Sequence, residues 1–312
     1  VNSLTTGAYN VGIGDDALTA NNEGHYNTAV GHNALSTNTD AAGNTAVGFE
    51  TLKNNTAISN TAVGRSALTS NTTGTSNSAF GLFSLLYNTT GAANVAISMG
   101  ALQNNTTAFY NTAVGYNSLH HNTTGTYNTA SGSHSLLYNV TGDYNISVGS
   151  NALKNSGKVQ TAGVFETGIA YTIKTAGDTD FTAIGAADNN VGTVFTATGA
   201  GSGTGTASPN TNYNTAVGHQ ALYTNTTGSD GVAVGYQALY TNTTGIRNTA
   251  VGLNALYGVN TGSNNTAIGN GAGDNITSGG NNIIIGRNID APSATADNQL
   301  NIGNWIYGDD GN

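Results

Sequence analysis

The sequence contains no cysteine and only 2 prolines among its 312 residues. The lack of thiols excludes disulfides, thiolate metal sites and cysteine nucleophiles, and it removes any redox argument about the compartment. Charged residues make up only 7% of the chain, with 7 Lys and Arg against 16 Asp and Glu. Because so few cations cannot form a stripe that neutralises phosphates, nucleic acid is excluded as a partner.

Bulky residues and long apolar runs are also scarce. The chain has 1 Trp and 7 Phe against 44 Gly, which predicts a thin interior. No apolar run approaches the ~20 residues that span a bilayer, so we expect no membrane insertion. A hydrophobic content of 37% at low charge argues against disorder. The chain opens at Val1 without a start Met or a signal peptide, which predicts a fragment or a processed product.

What the sequence does contain is a repeat of Asn-Thr-Ala-Val-Gly, or a close variant, every 17 residues. We number each repeat from its Asn-like residue as position one. The repeats begin at Asn10, Asn27, Asn44, Asn60, Asn77, Asn94, Asn111, Asn128, Asn145, Asn214, Gly231, Asn248, Asn265, Asn282 and Gln299, and one step, from Asn44 to Asn60, is a residue short. Such periodicity predicts a solenoid in which each repeat forms one coil.

Each repeat is rich in β-branched residues and punctuated by Gly, with Ala-Leu at positions eight and nine and Asn-Thr-Thr-Gly from position twelve. This pattern predicts two short strands and two turns per coil and leaves no room for a sizeable helix. The Asn-Thr-Thr tripeptides also match the N-glycosylation sequon, although turn chemistry explains them without sugar. The expected fold class is therefore an all-β, parallel β-solenoid.

Two aliphatic columns are predicted to form the core, at positions four and nine. They include Val30, Val47, Val63, Val114, Val217, Val234 and Val251 at position four, and Leu35, Leu119, Leu222, Leu239 and Leu256 at position nine.

Position three alternates with position four and should therefore point to the opposite face, yet it carries alanine. One interpretation is that Ala is simply tolerated there; the other is that it forms the close-packed seam of a homotrimer. We favour the seam, which comprises Ala29, Ala46, Ala62, Ala79, Ala96, Ala113, Ala216, Ala233, Ala250 and Ala267.

The segments Val11–Gly14, Asn94–Ile97 and Asn282–Gly286 resemble the coils of the left-handed parallel β-roll in trimeric autotransporter adhesin heads. The full repeat looks more like the repeat arrays of bacteriophage tail fibres and related bacterial surface proteins. The resemblance implies a left-handed homotrimer that is extracellular, in a virion tail fibre or on a bacterial cell surface.

The repeats are interrupted between residues 155 and 212, so we expect β-roll repeats over 1–154 and 213–303 and a C-terminal junction over 304–312. The interruption resembles a small β-module of tailed-phage structural proteins, and Phe165, Phe181 and Phe195 are predicted to form its core. The segment from Gln299 to Gly308 is similar to the junction that precedes a self-cleaving chaperone domain in phage fibres.

The sequence has no zinc spacing among its six His, no paired carboxylates and no nucleophile elbow, so no catalytic residue, metal site or cofactor is predicted. Asp309-Asp310 could hold calcium but is interpreted as an exposed acidic pair. Tyr223, Tyr240 and Tyr257 share position ten, with Tyr236 and His219 at position six. These aromatic side chains predict either a glycan contact or packing between coils.

The leading hypothesis is a non-enzymatic phage tail fibre that attaches to the host surface. Its expected partners are its own copies, other tail proteins and a host glycan or protein receptor. A bacterial trimeric adhesin head is the alternative. Ice binding is a third hypothesis, weakened by the expectation that Thr at position two shares its strand face with the Val core.

Overall fold

The computed structural model describes residues 6–308. The chain divides into two compact units, Val1–Ser135 (unit one) and Leu136–Asn312 (unit two). Residues 6–308 form a parallel β-solenoid with turns of roughly 17 residues and contain no α-helix. None of them therefore belongs to a helix that could cross a membrane. The predicted fold class is confirmed, whereas Asp309-Asp310 lies outside the described residues.

Unit one contains one three-residue strand in each turn, and neighbouring strands pair in parallel with equivalent repeat positions side by side, as in Ala113 beside Ala130. The strands are β1 (Val11–Ile13), β2 (Thr28–Val30), β3 (Thr45–Val47), β4 (Thr61–Val63), β5 (Ser78–Phe80), β6 (Val95–Ile97), β7 (Thr112–Val114) and β8 (Thr129–Ser131).

Unit two begins its ladder with β9 (Ile146–Val148) and then leaves it for the inserted module. The module is a four-stranded antiparallel sheet of β10 (Gln160–Thr161), β11 (Ala170–Thr175), β12 (Val194–Thr196) and β13 (Thr206–Pro209), with a 3-10 turn at Thr182–Ile184. Phe165, Phe181 and Phe195 pack together in its core, as predicted, and the buried Tyr171 joins them.

The ladder of unit two resumes in register after the module, because β14 pairs directly with β9. It continues through β14 (Thr215–Val217), β15 (Val232–Val234), β16 (Thr249–Val251), β17 (Thr266–Ile268), β18 (Ile283–Ile285) and β19 (Leu300–Ile302). The predicted junction folds back as β20 (Ile306–Gly308), which pairs antiparallel with β19 and leaves Trp305 exposed at the bend.

The second strand predicted for each turn does not form in the repeats within residues 6–308. The segment around the leucine of position nine is a series of turns, joined to the next coil by backbone hydrogen bonds such as Leu18 N–H to Ala34 O at 3.1 Å. Leucine adopts positive φ throughout this column, as in Leu102 at 50°. Ala and Leu side chains enter the interior from this wall, and the strain of the left-handed backbone is offset by complete burial of the Leu side chain.

The leucine core column at position nine is confirmed, because its members are fully or almost fully buried: Leu35, Leu119, Leu222, Leu239 and Leu256. The prediction for position four is wrong. Its side chains point outward: Ile13, Val114 and Val251 are exposed, and the other predicted members are half-buried, namely Val30, Val47, Val63, Val217 and Val234.

The predicted alanine seam is wrong for the same reason. Every member has 0% exposure within its own chain and so offers a partner no surface: Ala29, Ala46, Ala62, Ala79, Ala96, Ala113, Ala216, Ala233, Ala250 and Ala267. Strand alternation holds, but its sense is reversed relative to the prediction. Leucine from the opposite wall already fills the interior, so position three has room for little more than a methyl group.

One exchange in unit two shows that positions three and nine pack against each other. Position three is Ile284 instead of Ala, and the facing position nine is Gly273 instead of Leu. A Cβ placed on Gly273 would lie 3.3 Å from Ile284 Cγ1 and 3.1 Å from Leu256 Cδ2. The larger residue on one wall is thus matched by the smaller one on the other, and the interior volume is conserved.

Two columns of buried asparagines complete the interior, at positions one and twelve. Asn77 N–H donates to Asn60 Oδ1 at 2.9 Å, and Asn77 Nδ2 donates to Gly91 O at 2.9 Å. At position twelve, Asn88 Nδ2 donates to Asn71 Oδ1 at 2.7 Å and also to Gly91 O. These ladders satisfy polar groups that would otherwise be buried without partners, and they link each turn to the next.

Candidate functional site

The three tyrosines predicted at position ten come together as a stacked column in unit two. The ring centroids of Tyr223 and Tyr240 are 5.3 Å apart, those of Tyr240 and Tyr257 are 5.1 Å apart, and the planes differ by at most 4°. Partial burial, together with the Tyr257 and Tyr223 hydroxyls, raises the pKa of the Tyr240 hydroxyl. The sequence therefore predicted this juxtaposition correctly.

The stacking restricts what the column can bind. The faces of the Tyr240 ring are turned toward the two flanking tyrosines, and the outer face of Tyr223 lies near Lys154, whose Nζ is 5.8 Å from the ring centroid. A sugar therefore meets mainly ring edges and hydroxyls, and packing between coils accounts for the column. The glycan contact proposed for it remains a prediction.

The remaining two aromatic residues of the predicted contact form a separate stacked pair at position six. The rings of His219 and Tyr236 lie 5.4 Å apart with an interplanar angle of 13°, and Tyr236 is exposed. The sequence prediction grouped all five aromatics, whereas the structure arranges them in two separate stacks, one at position ten and one at position six.

A further aromatic column, at position seventeen, was missed by the sequence prediction. In unit one Tyr9 stacks on Tyr26 at 5.1 Å and Tyr110 on Tyr127 at 5.0 Å; in unit two Tyr144 stacks on Tyr213 at 5.4 Å. All six rings are exposed, and their backbones have φ between 57° and 60°. The signal was present in the sequence, because these residues also recur at the repeat spacing.

One group in unit one could hold a metal ion and was not predicted from spacing. Asp15, Asp16 and His32 each offer a ligand atom, and these atoms all lie within 4.8 Å of one another. His32 Nε2 is 3.7 Å from Asp15 Oδ2, and the His32 ring stacks on Phe49 at 5.3 Å. All three ligands are exposed, so water competes for each of them.

The Asn-Thr-Thr-Gly motifs have a structural role at position twelve. Their asparagines are buried with exposures of 0–1%, and each Nδ2 donates to the carbonyl three residues later, as Asn225 does to Gly228 at 2.9 Å. A side chain enclosed in this way cannot carry a glycan, which applies to Asn71, Asn88, Asn122, Asn225 and Asn242.

Comparison of the chain with protein-family models, with curated proteins and with solved structures finds no match.

Proposed function

We propose that this chain is a structural segment of a fibre that reaches the host surface, as in a phage tail fibre, and that it works as a left-handed, side-by-side homotrimer. The resemblance of its repeat, its inserted module and its C-terminal segment to tail-fibre sequences supports the fibre assignment. The expected location is accordingly extracellular, on the virion, with other tail proteins and a host receptor as further partners.

The observation that carries the trimer is the outward column at position four. Ile97 and Val114 are 41% and 37% exposed in the isolated chain, and isoleucine, valine or phenylalanine recurs there in most turns of both units. A continuous aliphatic stripe of this kind is uncommon on the solvent face of a monomer and marks an interaction surface. Identical stripes on three parallel copies would bury one another around a common axis.

Aspartate at two neighbouring turns of the stripe tests this arrangement. We expect Ile97→Asp/Val114→Asp to convert a trimer into monomers, because carboxylates would be buried against one another in the position-four interface. The matched control is Thr90→Asp/Thr107→Asp, which places the same charges at exposed position-fourteen sites of neighbouring turns. Sedimentation equilibrium measures the mass. A monomeric wild-type chain, or monomers in both variants, would contradict a trimer interface at position four.

Ice binding is a second candidate that the structure makes more favourable than the sequence did. Thr28, Thr45 and Thr61 point outward beside the valines rather than into a core, so the face presents hydroxyl and methyl groups at the ~4.8 Å strand spacing. Burial of this face in a trimer would remove it from water.

Ice binding predicts thermal hysteresis in the purified chain and a marked reduction of it in Thr45→Tyr/Thr61→Tyr, whose large rings break the flat face. Tail-fibre function predicts no hysteresis in either protein. Nanolitre osmometry of the wild-type chain therefore separates the two functions.

A further inference from the structure

The one short repeat of unit one lacks the residue of position fourteen. In regular turns the buried asparagine at position twelve bonds to the carbonyl three residues later, as Asn71 Nδ2 does to Gly74 O at 2.8 Å. In the short turn Asn55 Nδ2 bonds at 2.7 Å to Ala57 O, only two residues later. The residue is therefore missing between Thr56 and Ala57, and the turn is tightened at that point.

The missing residue breaks the ladder beside the preceding turn. In the regular arrangement the Asn22 and Glu23 N–H groups both donate to Thr39 O, at 2.8 and 3.0 Å. Over residues 6–308 there is no equivalent bond from Thr39 or Asp40 N–H to Thr56 O. Thr39 and Asp40 are exposed residues, and their backbone N–H groups lack this ladder bond.

The asparagine column is broken at the same place. Asn71 Oδ1 accepts a bond from Asn88 Nδ2, but the short turn supplies no donor for Asn38, whose Oδ1 is buried without a partner in the described structure. Most buried polar atoms have a partner, and an exception calls for a specific cause. Here the cause is the deletion: a regular asparagine such as Asn88 donates both to the preceding Asn Oδ1 and to the position-fifteen carbonyl, whereas in the described chain Asn55 Nδ2 donates only to Ala57 O.

A cleft of about 310 Å³ opens at this break. It is lined by the polar residues Asp40, Thr56, Thr73 and Thr75 and by the apolar residues Ile58, Ala41 and Ala57. Thr73 is exposed and Thr75 is half-buried, whereas the Thr56 hydroxyl already donates to Thr72 O at 3.0 Å. The cleft thus brings together one acidic residue, three threonines and a small aliphatic patch.

We propose that this cleft is a binding site for a neutral saccharide residue. The Asp40 carboxylate, whose Oδ1 already accepts a bond from Thr39 Oγ1 at 3.1 Å, has further lone pairs for sugar hydroxyls. Thr73 and Thr75 can donate or accept, and Ile58 can cover the apolar C–H face of a sugar ring. No cation lines the cleft, and the chain carries a net charge of −9, so an anionic ligand would be repelled. The cleft volume lies at the low end of the range for small-molecule sites.

The biological meaning of this site rests on the proposed host-surface function, but its binding is measured on the purified full chain without cells. The probes are the methyl glycosides of neutral hexoses, 6-deoxyhexoses and N-acetylhexosamines, followed by saturation-transfer NMR and titration. We expect at least one to bind the wild-type chain. Asp40→Asn should weaken that binding about tenfold, as loss of a charge-assisted hydrogen bond predicts.

A variant with one threonine inserted between Thr56 and Ala57 restores the regular repeat, closes the cleft and should abolish binding. It should also melt at a higher temperature, because Asn55 can then donate to Asn38 Oδ1. Glu23→Gln is the matched control, since it removes the same charge from position fourteen of a neighbouring turn outside the cleft, and it should bind normally. Sedimentation of the same samples reports the trimer separately.

Several outcomes would overturn the proposal. They are failure of every neutral glycoside to bind, unchanged binding by the insertion variant, and equal weakening by Glu23→Gln and Asp40→Asn. Binding of calcium or glucosamine without any neutral glycoside would make the cleft a cation site instead.

Discussion

Ile284→Ala is expected to lower the free energy of unfolding of unit two by about 2–5 kcal/mol, the usual cost of removing a large aliphatic side chain from a tight interior. Gly273→Leu should also destabilise, by about 1–3 kcal/mol, because its Cβ alone would approach Ile284 Cγ1 and Leu256 Cδ2 closely. Leucine itself suits the backbone there, since Gly273 has a φ of 61° and the leucines of the same column have φ near 50°.

The double variant Gly273→Leu/Ile284→Ala recreates the pair found in most other turns and should recover much of the loss. We expect a coupling energy of about 1–3 kcal/mol in a double-mutant cycle measured by urea denaturation at low protein concentration. Ile283→Ala is the control, because Ile283 is the adjacent isoleucine but is 44% exposed, and it should cost far less. Additive losses in the double variant, or equal losses at Ile283 and Ile284, would show that the two walls do not face each other as described.

Removal of one amide from the buried asparagine column is the second large effect. Asn105 Nδ2 donates to Asn88 Oδ1 at 2.7 Å and to Ala108 O at 3.1 Å, and Asn105 Oδ1 accepts from Asn122 Nδ2 at 3.0 Å. Asn105→Ala leaves Asn88 Oδ1 buried without a partner and opens a small cavity. Each unpaired group costs about 1–3 kcal/mol, so unit one should melt at a clearly lower temperature.

The neighbouring residue provides a matched control for this prediction. Asn104 has the same side chain but is only partly buried, so Asn104→Ala should change the melting temperature little. If calorimetry gives the same shift for Asn104→Ala and Asn105→Ala, the asparagine column contributes nothing special to the fold.

The sequence was sufficient to predict the period, the solenoid, the leucine column and the core of the inserted module. These depend on features that survive any choice of facing: spacing, residue type and the glycines that accept positive φ. Gly14, for example, has a φ of 126°, and its Cα packs so closely against the next turn that a Cβ would lie 2.8 Å from Gly31 C. Glycine positions of this kind can be predicted from the sequence alone.

The facing of the strands could not be decided in the same way. With three-residue strands, alternation gives only two choices, and the rule that aliphatic residues lie inside selected the wrong one. The interior is so narrow that the size of the side chain decides which residue faces it. Ala113 fits between the walls, whereas Val114 lies on the outer face. The available clue was the paired exchange of Ile284 and Gly273, which signals that positions three and nine share one interior.

The candidate sites also differ in whether the sequence predicts them. The stacked tyrosines of unit two followed from repeat spacing, since residues at equivalent positions of a parallel ladder lie about 4.8 Å apart. The cleft beside Asp40 arises from a missing residue. The repeat spacing reveals the missing residue but not which ladder hydrogen bonds are lost with it.

The central claim, that each 17-residue repeat is one turn stacked on the next, is tested most directly with spin labels, because the chain has no native cysteine. Thr90→Cys and Thr107→Cys place two labels at exposed, equivalent positions of adjacent turns. The account predicts strong spin–spin broadening in the doubly labelled chain, as expected for backbones about 5 Å apart. A spectrum equal to the sum of the two singly labelled chains would contradict it.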